Sequence, residues 1–96
     1  MAFSNSKTSG VTTETAVYTA TGVTATVIGM SVAPTNVEAT VDIKLGTTHV
    51  VKGLVIAAGT SAIPIGGGQK MVLLDTESLN VTSTAAVDVI VSVLEA

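Results

Sequence analysis

The most regular pattern in the sequence is Val37-Glu38-Ala39-Thr40-Val41-Asp42-Ile43-Lys44-Leu45, in which every odd position is apolar and every even position is polar. Successive side chains of a β-strand point to opposite faces, so this alternation predicts one strand with a dry face and a wet face. Valine and threonine each occur 16 times among the 96 residues. Both are β-branched and suit a pleated surface, and we therefore expect strands throughout the chain.

Breaks at glycine, proline and polar turns divide the remaining sequence into short strands of the same kind. No window has a convincing helical period. One strand covers residues 26–32, in which Gly29 indicates either a bulge or the close approach of another backbone. The segment 37–45 is predicted to be its hairpin partner. One face of that strand would carry Thr26, Ile28, Met30 and Val32. We predict an all-β fold, a single two-sheet sandwich of about eight antiparallel strands. The alternation of apolar and polar residues does not define the order of strands in a sheet, so Ig-like and jelly-roll arrangements both remain open.

The N-terminal residues are polar around a single aromatic side chain. They predict a flexible arm over residues 1–11, followed by the sandwich domain over residues 12–96. Such an arm is either a disordered start of the chain or a segment that docks Phe3 into a neighbouring subunit, as in assembling shells and fibres. Deletion of residues 2–9 would in the second case change the size of the oligomer.

Two further segments indicate contact with other subunits. Pro64 cannot donate a ladder hydrogen bond, so the short strand around it belongs at a sheet edge. The last strand, over about residues 86–94, is apolar on both faces, which places it centrally or against another subunit. One of its faces carries Val87, Val89, Val91 and Val93, and the other carries Ile90 and Leu94. The predicted interface residues are Phe3, Ile63, Ile65, Ile90 and Leu94.

Charge and composition narrow the classes of partner. The net charge is −3, arginine is absent and the four lysines are scattered, so we do not expect nucleic-acid binding. Without cysteine there is no disulfide framework, and neither a signal peptide nor a membrane-spanning segment is predicted. Charged residues make up only 11% of the chain, against the usual share of about 25%. A surface this poorly charged favours association. We expect the protein to work inside an assembly, and the alternative is a monomer with an uncharged, threonine-rich surface.

No motif predicts catalysis, a cofactor or a metal. His49 is the only histidine, and ligands for a metal are not grouped around it; we expect it to face solvent. The glycine-rich segment 66–70 is followed by a predicted strand and lacks the hydroxyl residue of a phosphate loop. Asp75 and Glu77 share what we predict to be a solvated turn. Nucleophilic catalysis by serine requires a base within reach, so we predict a protein that is not an enzyme.

Most of the chain resembles a group of short virion-associated proteins of tailed bacteriophages, particularly marine and cyanobacterial ones. The resemblance is carried by residues 16–21, 26–33, 41–45 and 57–61, and most clearly by residues 65–73 and 89–95. Similar proteins often have Gly-Asp before the penultimate strand, where this chain has residues 75–78. The resemblance implies a β-sandwich structural component of a phage particle, and hence localisation in the virion.

Two roles follow from this resemblance. The first is a capsid decoration or cement protein, bound to the major capsid protein as a homo-oligomer, with a trimer favoured. The second is a tail, neck or fibre component with an adaptor or host-recognition role. A free carbohydrate- or peptide-binding domain is a third reading. Recognition surfaces tend to present aromatic side chains, and this chain has two aromatic residues, so decoration is our preferred reading.

Overall fold

The computed structural model describes residues 2–65 and 71–96, and it confirms the all-β prediction. Within these ranges the regular elements are all strands. They are β1 (Ala2–Val11), β2 (Thr15–Thr19), β3 (Ala25–Pro34), β4 (Ala39–Leu45), β5 (Thr48–Ile56), β6 (Ala62–Ile65), β7 (Met71–Leu73), β8 (Ser78–Ser83) and β9 (Val87–Glu95).

The strands form two antiparallel sheets packed as a sandwich. The five-stranded sheet has the order β1-β9-β3-β6, with β7 also paired to β3, and the four-stranded sheet has the order β2-β8-β4-β5. Because β6 and β7 lie in line along one edge of β3, they act as one interrupted edge strand. The first strand then neighbours the last strand, and not the second as in an Ig-like sandwich. This is the strand order of a jelly roll, which decides between the two predicted arrangements.

The alternating segment 37–45 forms the inner and outer faces of β4. Ala39, Val41 and Ile43 are fully buried, while the polar residues between them point outward. Val37 is 57% exposed, so its predicted place on the dry face is wrong. The strand begins at Ala39 because that residue is the first to pair with β5.

The predicted hairpin between residues 26–32 and 37–45 is also wrong. The two segments form β3 and β4, which lie in different sheets. The hairpin partner of β4 is β5, reached through Gly46 and Thr47 after Leu45 pairs with Thr48. Alternation identifies a strand but not the sheet to which it belongs, and the chain crosses between the sheets after β3.

The bulge predicted at Gly29 is present, and it changes which side chains of β3 are buried. Val27 pairs with Val93 while Gly29 pairs with Ser92, so β3 has one extra residue at this point. Val27 and Met30 therefore both face the core, three positions apart. The prediction that Thr26 and Ile28 share a face with Met30 is wrong, because the bulge reverses the alternation.

Residues 2–11 form a strand of the sandwich, which corrects the predicted flexible arm. β1 pairs with β9 without a break from Ala2 opposite Glu95 to Thr8 opposite Val89. The hydroxyl of Ser6 also donates a hydrogen bond of 2.7 Å to the carbonyl of Val17 in β2. The sandwich therefore begins ten residues earlier than the predicted boundary at residue 12.

The core between the sheets is aliphatic. The four valines predicted to share one face of the last strand, Val87, Val89, Val91 and Val93, are all buried in it. Each fully buried aliphatic side chain contributes roughly 1.5–3 kcal/mol. The core therefore depends on many small contributions from branched side chains.

Candidate functional site

The outward surface of the five-stranded sheet, here called the five-stranded face, carries a row of mostly apolar side chains. Phe3 pairs with Leu94, Leu94 with Thr26, and Thr26 with Val72. Residues directly opposite one another point to the same side of a sheet, and neighbouring strands lie about 4.8 Å apart. The row therefore crosses β1, β9, β3 and β7, with Phe3 76% exposed at one end and Val72 52% exposed at the other.

A second row on the same face combines one charge with apolar and small side chains. Lys7 pairs with Ile90, and Ile90 pairs with Ser31. Ile90 alternates with buried valines and is 43% exposed. Between the two rows, the hydroxyl of Ser92 donates a hydrogen bond of 2.7 Å to Oδ1 of Asn5. The two polar side chains between the rows are therefore neutral and hydrogen-bonded to each other.

The outward surface of the four-stranded sheet, here called the four-stranded face, is more polar, although Val55 is 57% exposed on it opposite Thr40. Thr40, Asp42 and Lys44 point outward from β4, and Nζ of Lys44 lies 3.2 Å from Oε1 of Glu14. His49 pairs with Lys44 in the neighbouring strand and is exposed, as predicted. The two faces of the sandwich therefore differ in chemistry, and the charged one is the better suited to water.

The five-stranded sheet contains all five predicted interface residues. Phe3, Ile90 and Leu94 lie on its outward face. Ile63, which is 70% exposed, lies in the edge strand β6. Ile65 belongs to the same strand, but its side chain lies outside the described part of the structure. Residues from both ends of the chain and from its middle thus meet on one sheet.

Sequence reasoning missed two apolar members of this face. Val72 projects outward between Met71 and Leu73, whose side chains point toward the core. Ile28 is half-buried beside the bulge in β3. The alternation around Val72 was a usable signal, since a three-residue strand with a buried Leu73 must turn Val72 outward.

The two carboxylates of the predicted solvated turn bind backbone. Oδ1 of Asp75 accepts a hydrogen bond of 2.7 Å from the N–H of Gly22. Oε1 of Glu77 accepts one of 2.7 Å from the N–H of Leu74. Asp75 is exposed and Glu77 is half-buried, as expected for a solvated turn. The bond of Asp75 joins this turn to the loop that contains Gly22, whereas the bond of Glu77 closes the turn itself. The segment 66–70, weighed as a phosphate loop, lies outside the described residues.

Among the described residues, the side chain of Tyr18 has a strongly shifted pKa. Partial burial, followed by the hydrogen bond to Glu95 and the negative charge of that carboxylate, raises the pKa of Tyr18 to about 12. Tyr18 lies between the sheets, packed against the core, and not on either outward face. Its hydrogen bond to Glu95 therefore links β2 of one sheet to β9 of the other.

For residues 2–65 and 71–96, no cavity and no group of three or more potential metal-binding side chains is found. The described part of the chain also has no helix that could cross a membrane. In comparisons with known proteins, no family model, curated protein or solved structure matches this chain.

Proposed function

We propose that the protein is a non-enzymatic structural component of a tailed-phage particle. In this proposal it decorates or cements the capsid and binds the major capsid protein through the five-stranded face. The four-stranded face points away from the shell toward solvent. The protein is made in the host cytoplasm and resides in the virion.

The observation that carries this proposal is the difference between the two outward faces. Phe3, Leu94 and Val72 make one face apolar, whereas Asp42 and Lys44 make the other charged. Contiguous apolar surface on a small soluble domain marks a place of contact. A protein that lies flat on a shell requires one adhesive face and one solvated face.

The strand order gives independent but weaker support. Jelly rolls occur in viral capsid domains, and also in lectins and cupins. A fold does not define a function, so the architecture agrees with a particle protein without selecting it. The sequence resemblance to virion-associated proteins supplies the rest of the argument.

The proposal includes a homo-oligomer on the shell. The trimer implied by the resemblance would present three five-stranded faces to the capsid and so multiply a weak individual contact. Only 11 of the 96 residues carry a formal charge, which leaves little electrostatic repulsion between copies.

Binding to particles that lack the protein tests the proposal. Ile90→Glu puts a charge at the centre of the five-stranded face but opposite Lys7, so the sheet keeps a favourable cross-strand pair. Thr40→Glu is the matched control, since it adds the same charge to the four-stranded face, opposite Val55. We expect the wild type and Thr40→Glu to bind, and Ile90→Glu to lose at least tenfold in affinity. Equal binding by all three proteins would overturn the assignment of the face.

A further inference from the structure

The four edges of the two sheets are protected to different degrees. An unpaired strand edge presents free N–H and C=O groups to any other strand, and proteins blunt such edges with prolines, lysines, bulges or short strands. In the edge strand β5, two register shifts and Gly53 with a φ of 71° interrupt the ladder. β6 contains Pro64, and β7 has three residues. β2 has five residues and a register shift after Ala16.

β1 has the longest regular pairing among these edges, although it contains one lysine, Lys7. Its pairing with β9 is regular over seven residues, from Ala2 to Thr8, and shifts only after Thr8. No other strand of the described part pairs with its outer edge. The hydroxyl of Ser6 points inward to the carbonyl of Val17, so this contact fastens β1 to the sandwich without using the backbone of the edge.

We propose that β1 is a strand-addition site for a second copy of this chain. The two β1 strands pair antiparallel across a twofold axis, and the two five-stranded sheets become one continuous sheet. Backbone hydrogen bonds supply the attraction, as in other cases of β-augmentation, and the cross-strand side chains fix the register.

One register suits the antiparallel pairing of two β1 strands better than the others. Asn5 is the middle residue of the regular segment, so centring the pair on Asn5 uses all seven residues. Phe3 of each copy then lies opposite Lys7 of the other, and the aromatic ring meets a cation and its aliphatic stem. A pair centred on Lys7 would oppose like charges. The Asn5 register also joins the row containing Leu94 and Phe3 to the row containing Lys7 and Ile90 of the second copy.

This inference does not rest on the proposed function, and it commits to a dimeric contact in place of the trimer implied by the resemblance. The dimer could form wherever the protein is located, inside or outside a phage particle. Conversely, a trimer bound to a capsid would support the proposed function and contradict the strand pairing. The two ideas can therefore fail separately.

Sedimentation velocity over a concentration series tests the pairing. We expect the wild type to shift with concentration from 9.5 kDa toward twice that mass. Asn5→Lys places two cations opposite each other and should weaken the dimer at least tenfold. Ala16→Lys, on the exposed edge strand β2, is the matched control and should leave dimerisation unchanged. A monomeric wild type, a trimer, or equal behaviour of the two lysine variants would overturn the proposal.

Two further measurements fix the register and guard against misfolding. An equimolar mixture of Asn5→Lys and Asn5→Asp should restore the dimer, because residue 5 of one copy opposes residue 5 of the other. If Asn5→Asp alone dimerises more strongly, Asn5 faces Lys7 and the proposed register is wrong.

The chain has no cysteine, so Asn5→Cys supplies a single thiol. Oxidation should cross-link it faster than Ala16→Cys, and equal rates would contradict the pairing even if Asn5→Lys failed to fold.

Discussion

The phenolic oxygen of Tyr18 donates a hydrogen bond of 2.5 Å to Oε2 of Glu95. Tyr18 belongs to β2 and Glu95 to β9, so this bond joins the two sheets of the sandwich. Both burial and the neighbouring carboxylate favour the neutral phenol. They raise its pKa from 10.0 to about 12, and the bond therefore makes folding stability sensitive to alkaline pH.

Alkaline titration tests this bond directly, because Tyr18 is the only tyrosine and the chain has no tryptophan. The folded state holds its phenolic proton more tightly than the unfolded state. The stabilisation is therefore complete below pH 10 and is lost as the pH rises from 10 toward 12. Ultraviolet absorbance of tyrosinate should show a midpoint near 12 in the native protein. A midpoint near 10 in a protein that is still folded would contradict the contact.

Glu95→Gln separates the two causes of the shifted pKa. It removes the charge of residue 95 but leaves Tyr18 packed against the core. Burial is the larger cause, so the pKa of Tyr18 should fall in this variant and still remain above its ordinary value. A return to the ordinary value would mean that Glu95 alone produces the shift.

The two faces of β4 should respond very differently to truncation. Ile43 is fully buried, so Ile43→Ala should lower the free energy of unfolding by roughly 2–5 kcal/mol. Thr40 points outward from the same strand, and Thr40→Ala should lower it by less than about 1 kcal/mol. Urea titration of both variants measures the difference. Equal losses would show that the assignment of the two faces is wrong.

The bulge in β5 depends on a glycine with a positive φ. Gly53 has a φ of 71°, and its N–H donates a hydrogen bond of 2.8 Å to Oδ1 of Asp42. A Cβ at this position would meet no other atom within 4 Å, so the cost of Gly53→Ala is conformational. We expect a loss of roughly 1–2 kcal/mol in the free energy of unfolding.

Gly53→Asn is the matched control for that substitution, since asparagine tolerates a positive φ better than alanine. It should lower the free energy of unfolding by less than Gly53→Ala does. If chemical denaturation gives the opposite order, steric contact and not backbone conformation governs the position.

Hydrogen exchange should distinguish a strand from an arm at the N-terminus. Because β1 pairs with β9 from Ala2 to Thr8, the amides of β1 that bond to β9 should exchange more slowly than those of an unstructured peptide. Deletion of residues 2–9 should uncover the edge of β9 and lower the melting temperature. Unprotected amides together with an unchanged melting temperature would contradict the β1 strand and support the flexible arm predicted from the sequence.

Several features of the fold were predictable because they are local. The alternation around Val41 and Ile43 identified β4, and the glycine at position 29 pointed to either a bulge or a close backbone approach, of which the bulge is present. The placement of β3 and β4 in different sheets was not predictable in this way, because strand order depends on which sheets bury one another. The reversal of faces at Gly29 also escaped prediction, since a bulge indicates an extra residue but not which residue is extruded.

The N-terminal strand was missed for a different physical reason. Its inward side chains are Ser4, Ser6 and Thr8, opposite buried valines of β9. Small hydroxyl side chains at the margin of a sandwich produce no hydrophobic alternation. The hydrogen bond from Ser6 to Val17 replaces the apolar contact by which sequence patterns reveal a strand.

The candidate surface was partly visible in the sequence. Ile90 and Leu94 were conspicuous because β9 is apolar on both faces, and both lie on the five-stranded face. Phe3 was conspicuous only as a lone ring among polar residues, and its place beside Leu94 depends on pairing between the two ends of the chain. Such a pairing leaves no trace in local sequence, so the shared surface became visible only with the sheet order.

The proposed place of the protein on the capsid is tested by its copy number in purified phage particles, measured against the major capsid protein by quantitative mass spectrometry. A capsid decoration protein should be present in hundreds of copies per particle. A handful or a few dozen copies would move it to the tail, neck or fibre. Its absence from particles would contradict a virion role altogether.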